Sequence, residues 1–413
     1  MYKLRYGGAL IGKEEKKAIM KVVDKNYWPL AEEGKKMEEE AAKFLGVKHA
    51  ILANSGSSAG LLALASLDLP KGAEVIIPAT TFPTIFNIIV QCGLRPVVVD
   101  SKVGSYNLDP EEIEQAITEN TKAIICVHAV GNPVDMPAVM KVAKKHKLYV
   151  IEDNCDGWGG TIGNKKVGSF GDVSFTSFHA AHIVAMGQGG GVFTNNSKLA
   201  RKIKILRDWG RQDHLAGRRN GKMFSNLPAD YDARFIYTEM GWNLSPLELQ
   251  AAMGRVQLKK TAKIKALRKR NFKHLYKHLS KYSDLIMPEV VDGADPCWFS
   301  FPLTTLSDRG PLVDYLEKNG IETRSMFAGD ITKHPAYENV DYRKGTALTE
   351  AQFILHNSFW IPLHPRYTTK DLDYMLNVFR KYYAGASAGY THSPNGSKVR
   401  RARRSNKKVV RRN

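Results

Sequence analysis

The chain has 413 residues, 43% hydrophobic and 25% charged, with 4 cysteines and a formal net charge of +20. Such a length exceeds what one hydrophobic core usually fills, so two packed units are expected, and the ordinary balance of apolar and charged residues excludes general disorder. No apolar run is long enough to span a bilayer, and Cys92, Cys126, Cys155 and Cys297 form no CxxC pair, which argues for a cytoplasmic protein with free thiols, without membrane insertion, disulfide framework or zinc site.

In chain order, EVIIPAT, RPVVVD, KAIICVHAV and KLYVIED read as buried strands, separated by helical periodicity as at 109–119 and 136–146. This alternation predicts an α/β fold with a mostly parallel sheet covered by helices on both faces, and ligands at the carboxyl ends of its strands. A helical stretch from 247 to about 278 leads into WFSFPLTTL, the helical GPLVDYLEKNG and a last helix near 370–383, which read as a smaller α+β unit. We divide the chain into a large domain with its N-terminal segment at 1–265, a small C-terminal domain at 266–383, and a disordered basic tail at 384–413. Nine of the positive charges fall in 398–413, with no acid and no interleaved aromatics. That composition favours a solvated extension over specific nucleic-acid recognition.

The polar signals fall at the expected strand ends. Asn54-Ser55-Gly56-Ser57-Ser58 stands between a strand-like AILA and an apolar helix, where small residues and first-turn amides suit a phosphate, although a plain serine-rich helix cap explains it as well. Phe82 follows EVIIPAT; taken alone it is a core residue. Asp153 closes KLYVIED, and Asp156 is an equally good capper of the following turn. The segment GDVSFTSFHAAHIVAMGQGGG places Ser177 and His182 before a glycine-rich turn.

That segment resembles the cofactor-lysine segment of the DegT/DnrJ/EryC1/StrS sugar aminotransferases, and the likeness extends over about 10–383. It implies the type I fold of pyridoxal-phosphate enzymes related to aspartate aminotransferase. By resemblance Gly56, Ser57 and Ser177 hold the cofactor phosphate, Phe82 stacks on its ring, Asp153 pairs with the pyridinium, and Asp156 completes the cofactor site. Asn243, in Gly241-Trp242-Asn243-Leu244, would reach the phosphate from a second subunit, which implies a homodimer with shared active sites.

His182 occupies the position of the family's Schiff-base lysine. Imidazole cannot form that link but is suited to moving a proton near neutral pH. This places the chain with the pyridoxamine-phosphate-dependent sugar 3-dehydratases. The runs Glu152 to Asp156, Arg207 to Arg211 and Phe327-Ala328-Gly329 put it nearest the CDP-4-keto-6-deoxyglucose 3-dehydrases. Those enzymes carry a [2Fe-2S] cluster on C-x57-C-x-C-x7-C. Counting from Cys155 here gives Asp213, Leu215 and Met223, so no cluster is expected. The implied reaction is C3 deoxygenation of a nucleotide-linked 4-keto-6-deoxyhexose, CDP preferred and GDP second, with His182 as base and the amine form of the cofactor restored by L-glutamate. Arg211 and Arg324 are candidate nucleotide contacts. Two other readings stand beside this one: an aminotransferase fold kept for binding alone, and a transaminase using Lys165 or Lys166.

Overall fold

The computed structural model describes residues 3–212 and 226–389. Its main sheet has eight strands, ordered from edge to edge as His49–Ala53, Gly190–Thr194, Val173–Ser177, Tyr149–Asp153, Thr121–Val127, Glu74–Pro78, Arg95–Val99 and Arg343–Lys344. All pairings are parallel except the two made by Gly190–Thr194. The four strands read from the sequence are the centre of this sheet. Their near-continuous apolar runs follow from burial on both faces. Ile51, Val75, Ile77, Ile125 and Ile151 pack on one side with Leu62, Ile85, Phe86 and Ile203. Ile76, Val97, Val99, Ile124 and Val150 pack on the other with Ile113, Val139 and Val142.

Helix Met136–His146 spans the expected residues: Asp135 accepts the Ala138 amide at its start, and Lys147 ends it in the left-handed region at φ 56°. The 109–119 periodicity gives a shorter helix, Pro110–Ala116, because Ile117 turns extended at ψ 135°. The 247–278 stretch is two helices, Glu248–Lys259 and Thr261–Leu279.

The C-terminal unit is a four-stranded antiparallel sheet, ordered Leu285–Ile286, Phe301–Thr305, Ser358–Ile361 and Arg324–Ser325, with helices Gly310–Lys318, Thr349–Asn357 and Thr369–Gly389. Position 265 falls inside Thr261–Leu279, so one helix belongs to both units. The chain also crosses back twice. Arg343–Lys344 pairs with Val97 and Val98 of the main sheet, and Ala294–Asp295 pairs with Thr161–Ile162. The first residues join the small unit instead of the large one: Leu4 bridges Ile321, and the Tyr6 amide donates to Glu322 Oε2 at 3.1 Å.

The last helix extends into the residues assigned to the tail. Helix Thr369–Gly389 runs past Tyr383, whose ring stacks on Tyr282 at 4.2 Å. Ala384, Ala386 and Ala388 are strong helix formers and prolong it. The remainder of the predicted tail, 390–413, lies outside the described residues.

Candidate active site

Three strand ends meet where the polar signals were read. Helix Gly56–Ala65 begins two residues after strand His49–Ala53, with Ser55 Oγ accepting the Ser58 amide at 3.0 Å. A Cβ added at Gly56 would lie 2.6 Å from Ser177 Cβ, and one added at Gly190 would lie 2.2 Å from the Ser55 carbonyl oxygen. Only glycine permits this approach. It places the first-turn amides of Gly56 and Ser57, which have no intrahelical acceptor, beside the Ser177 hydroxyl at a positive helix end. Ser57 is exposed, its Oγ 2.8 Å from Thr84 Oγ1. Phe82 is no core residue: it precedes helix Pro83–Gln91 with 57% of its surface exposed. A large apolar ring held open at this edge suits stacking on a planar ligand.

Asp153 is buried, and its Oδ1 accepts the Cys155 amide at 2.9 Å. Burial pushes its carboxyl above the ordinary value, and the Asp156 charge pushes the same way. Among the described residues no lysine or arginine forms an ion pair with it. A protonated ring nitrogen supplies the charge this carboxylate lacks, so the residues fit the cofactor implied by the sequence. The neighbouring Cys155 thiol is raised well above its ordinary range by burial and then by Asp153.

His182 Nδ1 lies 3.2 Å from Asp156 Oδ1, within ion-pair range though not aligned as a full hydrogen bond. A carboxylate on that side favours the proton on Nδ1 and leaves the Nε2 lone pair free to take one. Two further rings adjoin the imidazole: Phe299 at 5.4 Å and His179 at 6.2 Å between centroids. Behind Phe299 the buried Arg268 donates to the carbonyls of Trp298 and Phe299 at 3.2 and 2.5 Å. Its burial pushes the guanidinium down to about 10.

The remaining candidates stand further out. Asn243 is exposed; it forms a backbone bridge with Asp208, and the next residue's carbonyl accepts the Asn54 amide at 2.7 Å. Arg211 lies over the Trp209 ring at 4.9 Å, at the edge of the undescribed 213–225. Arg324 is engaged by its own surroundings, pairing with Glu322, donating to the Thr323 carbonyl at 3.0 Å and covering the Tyr6 ring at 4.8 Å. Tyr6 is 6.4 Å from Phe299, so an aromatic line runs from Arg324 to His182. Sequence reasoning missed Tyr6, Phe299 and Arg268; the run WFSF was the one signal that aromatics gather there. Asp213, Leu215 and Met223, where cluster cysteines would stand, lie outside the described residues. Lys165 and Lys166 sit over Phe170 and Phe44, in a hairpin paired with Ala294–Asp295.

Known proteins resemble this chain along most of its length. The chain is 38% identical over 403 residues to a dTDP-4-dehydro-2,6-dideoxy-D-glucose 3-dehydratase of Saccharopolyspora spinosa, covering 93% of this chain and 87% of that one. It is 37% identical over 396 residues to the lipopolysaccharide biosynthesis protein RfbH of Salmonella typhimurium, covering 91% of each. Among solved structures it matches GDP-4-keto-6-deoxymannose-3-dehydratase with a trapped PLP-glutamate geminal diamine, with a TM-score of 0.85 and 27% identity over 91% of this chain and all of that one. Residues 9–380 match the model of the DegT/DnrJ/EryC1/StrS aminotransferase family, and the chain belongs to that family.

Proposed function

We infer that the protein is a pyridoxal/pyridoxamine-phosphate-dependent nucleotide-sugar 3-dehydratase, which removes the C3 hydroxyl of a nucleotide-linked 4-keto-6-deoxyhexose in deoxysugar and lipopolysaccharide biosynthesis. The observation that carries this reading is His182: an imidazole in the family's lysine position, backed by Asp156 and flanked by the Asp153 and Gly56 cofactor contacts. When bound, the cofactor supplies an amine for the C4 ketone and a ring that accepts electrons. Gly56, Ser57 and Ser177 hold its phosphate, Phe82 covers the ring and Asp153 balances the ring nitrogen. His182 Nε2 takes up a proton and returns one, and Phe299 and Arg268 keep its ring in place.

The relatives include a dTDP-sugar enzyme and a GDP-sugar enzyme. We place CDP first for this chain on the residue runs it shares with CDP-sugar dehydrases, and the assay compares all three nucleotides. L-Glutamate is the proposed amino donor, in keeping with the glutamate adduct in the solved relative. A homodimer accounts for the exposed Asn243 and for the apolar surface around it, where Trp209, Phe235, Tyr237 and Met240 are 45%, 53%, 54% and 95% exposed.

The first experiment is the absorption spectrum of the protein with pyridoxal phosphate, before and after L-glutamate, followed by the keto-sugars. Conversion to the pyridoxamine form and loss of the C3 hydroxyl without a reductase are expected. His182→Ala should bind the cofactor and lose about a hundred- to ten-thousand-fold in turnover. A bound cofactor that never converts, or a dehydration that needs an iron-sulfur or flavin reductase, rejects the glutamate-driven cycle.

A further inference from the structure

The site holds a second imidazole for which the reading above has no use. His179 stands three residues before His182, its ring 6.2 Å away and 77° inclined. Its Nδ1 accepts the Ala181 amide at 3.2 Å, and its own amide is held by Ser177 Oγ at 3.2 Å. An acceptor at Nδ1 requires the proton of the neutral ring to sit on Nε2. The two histidines are therefore complementary: His182 keeps a lone pair at Nε2, and His179 keeps an N–H there. No protein acceptor meets that N–H among the described residues, and His179 is exposed at the strand edge. The shielding it does have, and then the neighbouring His182, hold its imidazole below the ordinary 6.5. At neutral pH it is an uncharged donor, not an acid.

We propose that His179 binds the sugar directly, donating its Nε2–H to the oxygen on C3 and stabilising that oxygen as it leaves. This rests on the dehydratase reading and assigns a second catalytic residue to it. The carbon that loses its oxygen adjoins the one that carries the amine, so the groups serving the two positions must be neighbours, and the imidazoles are. The step balances as loss of one water. The C3–O bond breaks and its electron pair leaves with oxygen. The pair released where His182 takes its proton replaces it, and that proton completes the water. His179 starts and ends neutral, as a fixed dipole aimed at developing charge.

The test uses the full-length chain loaded with cofactor and two substitutions. His179→Phe keeps a flat ring and removes the donor, whereas His179→Gln removes the ring and keeps an N–H near the Nε2 position. Each is measured in two reactions: conversion of the cofactor by L-glutamate, which involves no C3 oxygen, and single-turnover consumption of CDP-4-keto-6-deoxyglucose with the dTDP- and GDP-sugars as comparators. We expect the Phe variant to keep the glutamate reaction and lose about a hundredfold in the sugar reaction, with the Gln variant recovering most of it. A Phe variant that consumes sugar at the wild-type rate overturns the assignment, as does one that loses both reactions equally, which marks a merely structural residue. A wild-type chain that charges with glutamate but consumes none of the sugars overturns the dehydratase reading and the assignment with it.

Discussion

Asp153 and Asp156 lie one turn of chain apart and serve different partners, because one is sealed beneath the strand end and the other faces an imidazole. Asp153 accepts from the Cys155 amide and from the Cys155 thiol, and its raised carboxyl makes a specific expectation about the cofactor-free protein. A carboxyl raised in the folded state contributes stability below its ordinary 3.8 and loses that contribution as pH rises through the raised value. At neutral pH the buried side chain is therefore a burden until a cation arrives. Asp153→Asn should raise the melting temperature of the cofactor-free protein at pH 7, with the gap closing toward pH 4, and should weaken cofactor binding by about 10- to 100-fold, the worth of one charged hydrogen bond. Thermal melts with and without pyridoxal phosphate check both halves; a variant less stable than wild type in the absence of cofactor contradicts the argument.

At the scale of elements, strand Tyr149–Asp153 is held in register by the residue just before Asp153. Glu152 is fully buried and accepts the amides of Gly168, Phe170 and Gly171 at 2.7, 2.6 and 2.8 Å. The fourth donor is His128 Nε2 at 3.1 Å, whose tautomer is fixed because Nδ1 accepts the Val134 amide. Glu152→Ala would strand the buried Gly168 amide, the partly buried amides of Phe170 and Gly171, and a buried histidine, and should cost about 3–5 kcal/mol in chemical denaturation. The central strands were legible in the sequence because burial on both faces writes them as apolar runs, and the edge that carries the candidate site was legible because serines, glycines and aspartates follow those runs. Asp153, Ser177 and His182 are close in sequence to the strands that present them. Phe299 and Tyr6 were not legible, since their nearness to His182 depends on how two distant segments pack. The two-residue strands at 294 and 343 carry no period to detect, and the end of the last helix was misjudged because Ala-Gly-Ala-Ser-Ala reads as a linker by composition.

For the whole molecule, the exposed aromatics around Asn243 form the surface that the proposed homodimer would cover. If each active site takes Asn243 from the other subunit, then His182→Ala and Asn243→Ala, each inactive alone, should restore about a quarter of wild-type activity when co-expressed, because half the dimers are mixed and each mixed dimer has one intact site. No recovery, with mixed dimers shown to form, would place Asn243 in its own subunit's site. Leu4 and Tyr6, near the start of the described residues, pack against Ile321, Phe299 and Trp360. During synthesis that tyrosine and leucine stay unsheltered until the segments around 299, 321 and 360 have been made. The large sheet, by contrast, has seven of its eight strands by residue 194. Leu4 and Tyr6 thus precede the strands of the large sheet in synthesis and follow them in packing, and the wall beside His182 closes only when both ends of this long-range contact are present.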